Sequence, residues 1–375
     1  MEFVVSKANL QNQLLLVQGI VERKTTLPIL SHLLLRATAE GIDLVATDLE
    51  VGLQTRCDAV VAAPGEVSVQ ARKLLEIVRS LPEAEIQVRR SGDDLNLQCE
   101  RSRFRLRGLP AADFPKLPDT AVRQPVVLKA ADLRDMISKV LFAVTVDDPV
   151  YSLNGALLQM EGQTLTLVAT DGHRLAYISR SLDVKPVKET IRRVVHRKTL
   201  SELIRVLGES GEETVSFGES ENHLLFHCGR AILVSRFLEK SFPAYEKVLP
   251  KSHERVVQAD RAAFGEALRR VSLLSSERSR AVRLQIGPGR LEISSNSPDL
   301  GEASEALSVD YTGEAMTIGF NARYVLDFLE AVQDPRVRLE LKDADTQGLL
   351  LPDGDHGYDY RYVVMPMQLR GEEAA

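Results

Sequence analysis

Residues 44–48 read LVATD, and residues 167–171 read LVATD again, 123 positions later. One repeated word proves little, so the question is whether its surroundings recur at the same offset. They do: ILSHLLL (29–35) lies against SLNGALL (152–158), and Leu10, Leu14, Val17 lie against Leu133, Ile137, Val140. That spacing marks one face of an amphipathic helix. It returns 131 positions further on as Phe264, Leu268, Val271.

The later half of the repeat recurs as well. HRKTLSELIRVL (196–207) aligns with NARYVLDFLEAV (321–332) at an offset of 125, pairing Leu200 with Val325, Leu203 with Phe328 and Leu207 with Val332. ARKLLEIVRSLP (71–82) is the first copy, and EIQVRR, LNLQCER and RFRLRGL after it alternate as half-buried strands do. DFPKLP (113–118) and SFPAYEKVLP (241–250) close the first two repeats, and the third ends in YRYVVMPMQL. Each repeat predicts a strand, a helix, several strands, a second helix and more strands. A period near 125 residues is too long for a solenoid. The expected fold class is therefore α+β: three topologically similar domains, each with two helices packed on antiparallel sheets. Their limits are read as 1–120, 121–250 and 251–375, with PDTAVRQP (118–125) and PKSHER (250–255) as linkers.

Composition narrows the function. At 375 residues, 44% hydrophobic and 27% charged, the chain can bury several cores. No apolar run is long enough to span a membrane, and MEFVVSKANL lacks the features of a signal peptide. Cys57, Cys99 and Cys228 are far apart and form no CxxC, which predicts reduced thiols in a cytoplasmic protein rather than a disulfide frame or zinc site. The net charge of −6 argues against an open, basic DNA-binding module. It is also uneven: −1, +1 and −6 over the three predicted domains.

No GxSxG, GxxxxGK[ST], HExxH or GxGxxG occurs, so the common catalytic and nucleotide motifs are missing. DADTQG (343–348) starts like a calcium loop but lacks its later acids and reads as a turn. No metal or cofactor is expected. Asp171 and His173 are the one pair that could be read as a hydrolase centre. A multidomain scaffold that never meets DNA is a second alternative.

LPILSHLLL, VATDLE, LPAADFP, LNGALL, VATDGHRLA, GFNARYVLD and YVVMPM together resemble the DNA polymerase III beta subunit family, the bacterial sliding clamps, from residue 3 to about 369. The resemblance implies a non-catalytic processivity factor, a head-to-tail homodimer forming a ring, and encirclement of double-stranded DNA. It also implies the polymerase III catalytic subunit, the clamp-loader complex, and other polymerases and repair proteins as partners. These would bind through short peptides, between the second and third domains.

A head-to-tail pair needs two different complementary surfaces. ERSRFRLRG (100–108), read as a strand, puts Arg101, Arg103, Arg105 and Arg107 on one face and Phe104 and Leu106 on the other. LLSSER (273–278) and SPDLGEASE (297–305) offer Leu273, Leu274, Asp299, Glu302 and Glu305 in the acidic third of the chain. These are the expected dimer interface.

Expected DNA contacts are Arg23, Lys24, Arg72, Lys73, Arg79, Tyr151, Arg197, Lys198 and Arg205, with Lys7, Arg134, Lys139, Arg269 and Arg270 as further cations on or beside predicted helices. A ring holds DNA topologically and needs only weak phosphate contacts. Asp147 and Asp148 depart from the family pattern and would repel phosphate.

Carried over position by position, the partner groove comprises Leu153, Thr170, Gly172, His173, Arg174, Leu175, Pro243, Lys247, Val248, Val363, Val364, Met365, Pro366 and Met367. Lys247 stands where an arginine is common, and Gln368 replaces a basic residue.

Overall fold

The computed structural model describes residues 1–22, 26–122, 125–145, 153–250, 254–277 and 279–368. Six helices appear in these segments: α1 Lys7–Gln18, α2 Ala71–Ser80, α3 Ala130–Leu141, α4 Arg197–Glu209, α5 Arg261–Val271 and α6 Ala322–Ala331. Each starts where a strand stops, and the last strand residue often caps the helix. Ser6, Asp260 and Asn321 accept from the backbone N–H of Asn9, Ala263 and Arg323, satisfying donors that a helix N-terminus leaves open. His196 does the same for Lys198 through Nδ1 at 3.1 Å. Burial lowers the His196 pKa, which favours the neutral ring that this role requires.

The repeated apolar stripes face inward. Leu10, Leu14 and Val17 of α1, Leu133, Ile137 and Val140 of α3, and Phe264, Leu268 and Val271 of α5 are all buried. So are Leu200, Leu203 and Leu207 of α4 and Val325 and Phe328 of α6, with Val332 just beyond it. Helix periodicity in the sequence thus read the core correctly, and each full side chain contributes about 1.5–3 kcal/mol of burial.

Contacts divide the chain into two compact units, Met1–Arg134 with Val195–Leu238 and Asp135–Val194 with Glu239–Ala375, the division falling inside α3. The central repeat is therefore shared. In the first unit a nine-stranded antiparallel sheet joins Val51–Cys57 to Ala231–Arg236, with Gly52 opposite Val234. A five-stranded sheet runs from Val60–Ala63 through Glu2–Ser6, Glu85–Ser91 and Asp94–Cys99 to Ser102–Leu106. In the second unit an eight-stranded sheet joins Arg174–Ser181 to Tyr358–Val364, with Leu175 opposite Val363. A four-stranded sheet ends on Gly301–Ser308.

Two of the quoted apolar segments are strands only in part. In ILSHLLL the strand begins only at His32, because Pro28–Ser31 forms a 3-10 turn that starts on the fixed φ of proline. In YVVMPM the strand stops at Val364, just before Met365 and Pro366, and proline lacks the N–H a ladder needs. DADTQG is a turn, with Asp343 Oδ1 accepting from the N–H of Asp345 and Thr346. No helix among the described residues is long and apolar enough to cross a membrane.

Candidate functional site

The LVATD word forms the same turn in both copies. Thr47 Oγ1 donates to Val51 O at 3.1 Å, and Asp48 Oδ1 accepts from the N–H of Glu50 and Val51 at 2.9 and 2.6 Å. Thr170 Oγ1 donates to Arg174 O at 2.7 Å, and Asp171 Oδ1 accepts from the N–H of His173 and Arg174 at 3.0 Å each. The third turn residue is left-handed in both, Leu49 at φ 80° and Gly172 at φ 86°. Glycine adopts this without cost, whereas leucine gives up about 1–2 kcal/mol. Each turn also anchors the strand from the next repeat: Arg236 N–H to Glu50 O and Met365 N–H to His173 O, both 2.9 Å.

The two junctions differ in their apolar lining. At the first, Gly52 leaves a gap that Leu117 fills, its Cδ2 lying close to where a Cβ at position 52 would stand. At the second, Leu175 occupies that strand position, and the segment from Phe242 to Leu249 is longer than its counterpart, Phe114–Leu117. Its extra residues form a 3-10 turn, Tyr245–Lys247, that brings up Val248. Beneath lie Leu157, Val168, Leu175, Tyr245, Leu349 and Val363, with Tyr177, Phe242, Leu249 and Leu351 packed against them.

The expected groove residues share the second unit, at three depths. Gly172, His173, Pro243, Lys247, Val248 and Met365 are exposed, with Val248 at 39% and Met365 at 44%. Thr170, Arg174, Pro366 and Met367 are half-buried. Leu153, Leu175, Val363 and Val364 are buried. Leu175 and Val363 lie on the sheet face that Tyr245 and its neighbours cover, whereas Val364, next along the strand, faces the other way. Tyr177 and Phe242 have ring centroids 5.9 and 6.3 Å from Tyr245, and burial, with Glu246 next, raises the Tyr245 phenol above its ordinary pKa. Sequence reading missed these aromatics. Tyr177 could have been found two residues after Leu175, on the same strand face.

Asp171 and His173 do not form an acid–base pair. Asp171 Oδ1 holds two backbone N–H groups, Oδ2 accepts from Arg174 Nε at 2.9 Å, and the His173 ring stacks on Tyr324 instead. Among the described residues no group of three His, Cys, Asp or Glu is placed to hold a metal.

The two charged segments lie on sheet edges. Ser102–Leu106 ends the five-stranded sheet, with Arg101, Arg103, Arg105 and Arg107 exposed and Phe104 and Leu106 half-buried. The alternation is as the sequence predicts. Arg105 is paired within the chain to Asp94 at 2.5 Å. Gly301–Ser308 ends the four-stranded sheet, with Asp299, Glu302 and Leu300 exposed. Arg270 forks the half-buried Glu305 at 2.7 and 2.8 Å, and this hydrogen bonding holds the Glu305 carboxyl below its usual range. Leu273 is 76% exposed and Leu274 half-buried.

Several expected DNA cations have other work. Arg205 donates to Leu15 O and Leu16 O, and Lys198 to Ile20 O and Asp48. The carbonyls among these acceptors lie at and beyond the end of α1, so both side chains brace the first unit. Lys139 is buried and pairs with Asp135. Lys7 pairs with Glu83, Lys73 with Glu76 and Arg269 with Glu330. Arg72, Arg79 and Arg134 are exposed and Arg197 is half-buried. Arg23, Lys24, Asp147, Asp148 and Tyr151 lie outside the described residues.

Residues 1–118, 127–244 and 246–368 match the N-terminal, central and C-terminal domains of the DNA polymerase III beta subunit. The beta sliding clamp of Pseudomonas putida is 40% identical over 373 residues, 98% of this chain and 100% of the relative. That of Escherichia coli K12 is 38% identical over 371 residues, with the same shares covered. A crystal structure of DNA polymerase III subunit beta from Pseudomonas aeruginosa matches at TM-score 0.91 and 38% identity, covering 98% of this chain and 100% of that one. The sliding clamp from Bacillus subtilis matches at TM-score 0.92 and 27% identity, covering 98% and 99%. The chain therefore belongs to the DNA polymerase III beta subunit family and has its three-domain clamp fold.

Proposed function

We propose that two copies of this chain close head to tail into a ring around duplex DNA, and that partners dock in the groove beside Val248 and Met365. As a family member the chain is a non-catalytic sliding clamp, a processivity factor of DNA replication. The ring rests on one observation above all: two free sheet edges of opposite character, Ser102–Leu106 with its arginines and Gly301–Ser308 with its acids. A free edge offers unpaired backbone groups and invites another strand. Opposite charge steers that pairing, and exposed Leu273 supplies apolar burial.

The occupants we assign to the groove are peptides of the polymerase III catalytic subunit, the clamp loader, and other polymerases and repair proteins. A relative from Pseudomonas aeruginosa has been solved bound to griselimycin. We keep the domain limits 1–120, 121–250 and 251–375, which place the groove where the second and third repeats meet. A cytoplasmic setting suits the three buried free cysteines, with Cys57 and Cys228 pushed up to about 12, chiefly by burial.

DNA contact falls to the cations that remain accessible. Replacing Arg72, Arg79 and Arg197 by alanine should flatten the dependence of DNA retention on salt, by about one unit of log–log slope per lost phosphate contact. Lys198→Met should destabilise the fold and leave that slope unchanged. An unaltered slope in the triple variant places DNA elsewhere on the protein.

A further inference from the structure

We propose that Asp327 is a positioning residue of the partner groove, acting through Arg174; the inference rests on the groove assigned above. Arg174 had been expected to touch a guest. Its side chain is instead only 10% exposed and already occupied. Nε donates to Asp171 Oδ2 at 2.9 Å, one terminal nitrogen to Asp327 Oδ2 at 2.5 Å and Tyr362 Oη at 3.4 Å, and the other to Phe142 O at 2.6 Å. The guanidinium also lies 4.3 Å from the centroid of the Tyr324 ring. Few of its five donors remain for a guest.

Following the bonds outward shows what Arg174 holds. Asp327, on α6, is 7% exposed, and among the described residues Arg174 and Arg323 pair with it, the latter at 2.8 Å. Arg174 grips Oδ2 of Asp171, whose Oδ1 fixes the backbone N–H of His173 and Arg174. The His173 carbonyl then accepts the Met365 N–H. Met365 is among the most exposed apolar side chains of the groove. A continuous path thus runs from a buried carboxylate on α6 to the groove's rim.

The first junction supports the reading independently. There the equivalent turn aspartate, Asp48, is gripped by Lys198 in the first turn of α4. Lys198 aligns with Arg323 at the repeat offset of 125. Both turns are therefore tied to the second helix of the following repeat, directly by Lys198 in one case and through Arg174 and Asp327 in the other. Leaving a buried charge without its partner is costly, so the tie resists loosening.

The chain contains no tryptophan and only six methionines, which makes the test clean. A synthetic peptide with a glutamine, two bulky apolar residues and a terminal tryptophan reports binding by fluorescence. Amides of 15N-methionine report the groove rim without any peptide. Asp327→Asn should weaken peptide binding about tenfold, a change of one charge-assisted hydrogen bond. It should also speed hydrogen exchange at the Met365 amide, while the Met367 amide, bonded to Gly319 O at 2.8 Å, stays as in the wild type. Arg174→Lys, which keeps the charge and loses the fork, should behave alike and serves should the first variant fold poorly. Arg323→Gln removes the other partner of Asp327 and should change neither reading.

Wild-type peptide binding with unchanged affinity and Met365 exchange in Asp327→Asn and Arg174→Lys overturns this inference alone. So does an equal loss in Arg323→Gln, because the effect then belongs to α6 and not to Arg174. A wild-type protein that does not bind the peptide overturns the groove, and this inference with it.

Discussion

Arg103→Glu combined with Leu273→Asp is expected to yield monomers at concentrations where the wild type sediments at the mass of two chains. Arg103 is the better target than Arg105, whose charge already meets Asp94. Leu273 is 76% exposed in the single chain, an unusual cost for a large apolar side chain that no partner covers. Burying it contributes about 2 kcal/mol, and an introduced aspartate reverses that gain. A closed head-to-tail pair contains the same interface twice, so each substitution counts twice. The combined loss is about 6 kcal/mol or more, roughly a ten-thousandfold weakening of the dimer. Arginine placed at Glu302 in the Arg103→Glu background should restore part of it. A double variant that remains dimeric at low concentration shows that the edges do not meet as proposed.

The second large effect concerns the groove. Val248→Asp with Met365→Asp should abolish binding of a partner peptide and stimulation of a polymerase, while the protein still dimerises. Both side chains are well exposed, so the substitutions remove docking surface without opening the core. Two bulky guest side chains supply about 3–6 kcal/mol before ordering costs, which fits micromolar affinity for a single peptide. Losing their apolar contacts should weaken binding about a hundredfold or more. Leu175→Asp would be a poor test, since Leu175 is 3% exposed and its replacement would disrupt the cluster under Tyr245. Normal peptide affinity in the folded double variant would remove Val248 and Met365 from the docking surface.

What the sequence revealed, and what it hid, follows from the range of each signal. The helix stripes and the LVATD turns are local patterns, so their burial and their hydrogen bonds could be read from spacing. The arginine alternation on Ser102–Leu106 was legible because a strand has period two. That Leu175 and Val363 are buried beneath other side chains was hidden, since strand periodicity names a face and not what covers it. The cover comes from Phe242 and Tyr245, on a different part of the chain. The ties that Lys198 and Arg205 make within the chain were hidden too, because charge on a helix says nothing about partners. Their acceptors at Asp48 and Leu15 are 150 and 190 residues away. The shared central repeat was equally invisible, because the pairing of Gly52 with Val234 joins strands from different repeats. Arg174 illustrates the limit best: the resemblance implied a groove residue, and only geometry showed its guanidinium already bonded to Asp171, Asp327 and the Phe142 carbonyl.

The ring itself is tested most directly by topology. The protein is assembled on closed circular duplex DNA, passed through a sizing column in salt high enough to remove phosphate contacts, and compared before and after the DNA is cut once. Encirclement predicts that it travels with the intact circle and is lost from the linear molecule, whose free ends let it slide off. Equal retention on circle and line, or equal loss from both, would contradict a ring held by topology.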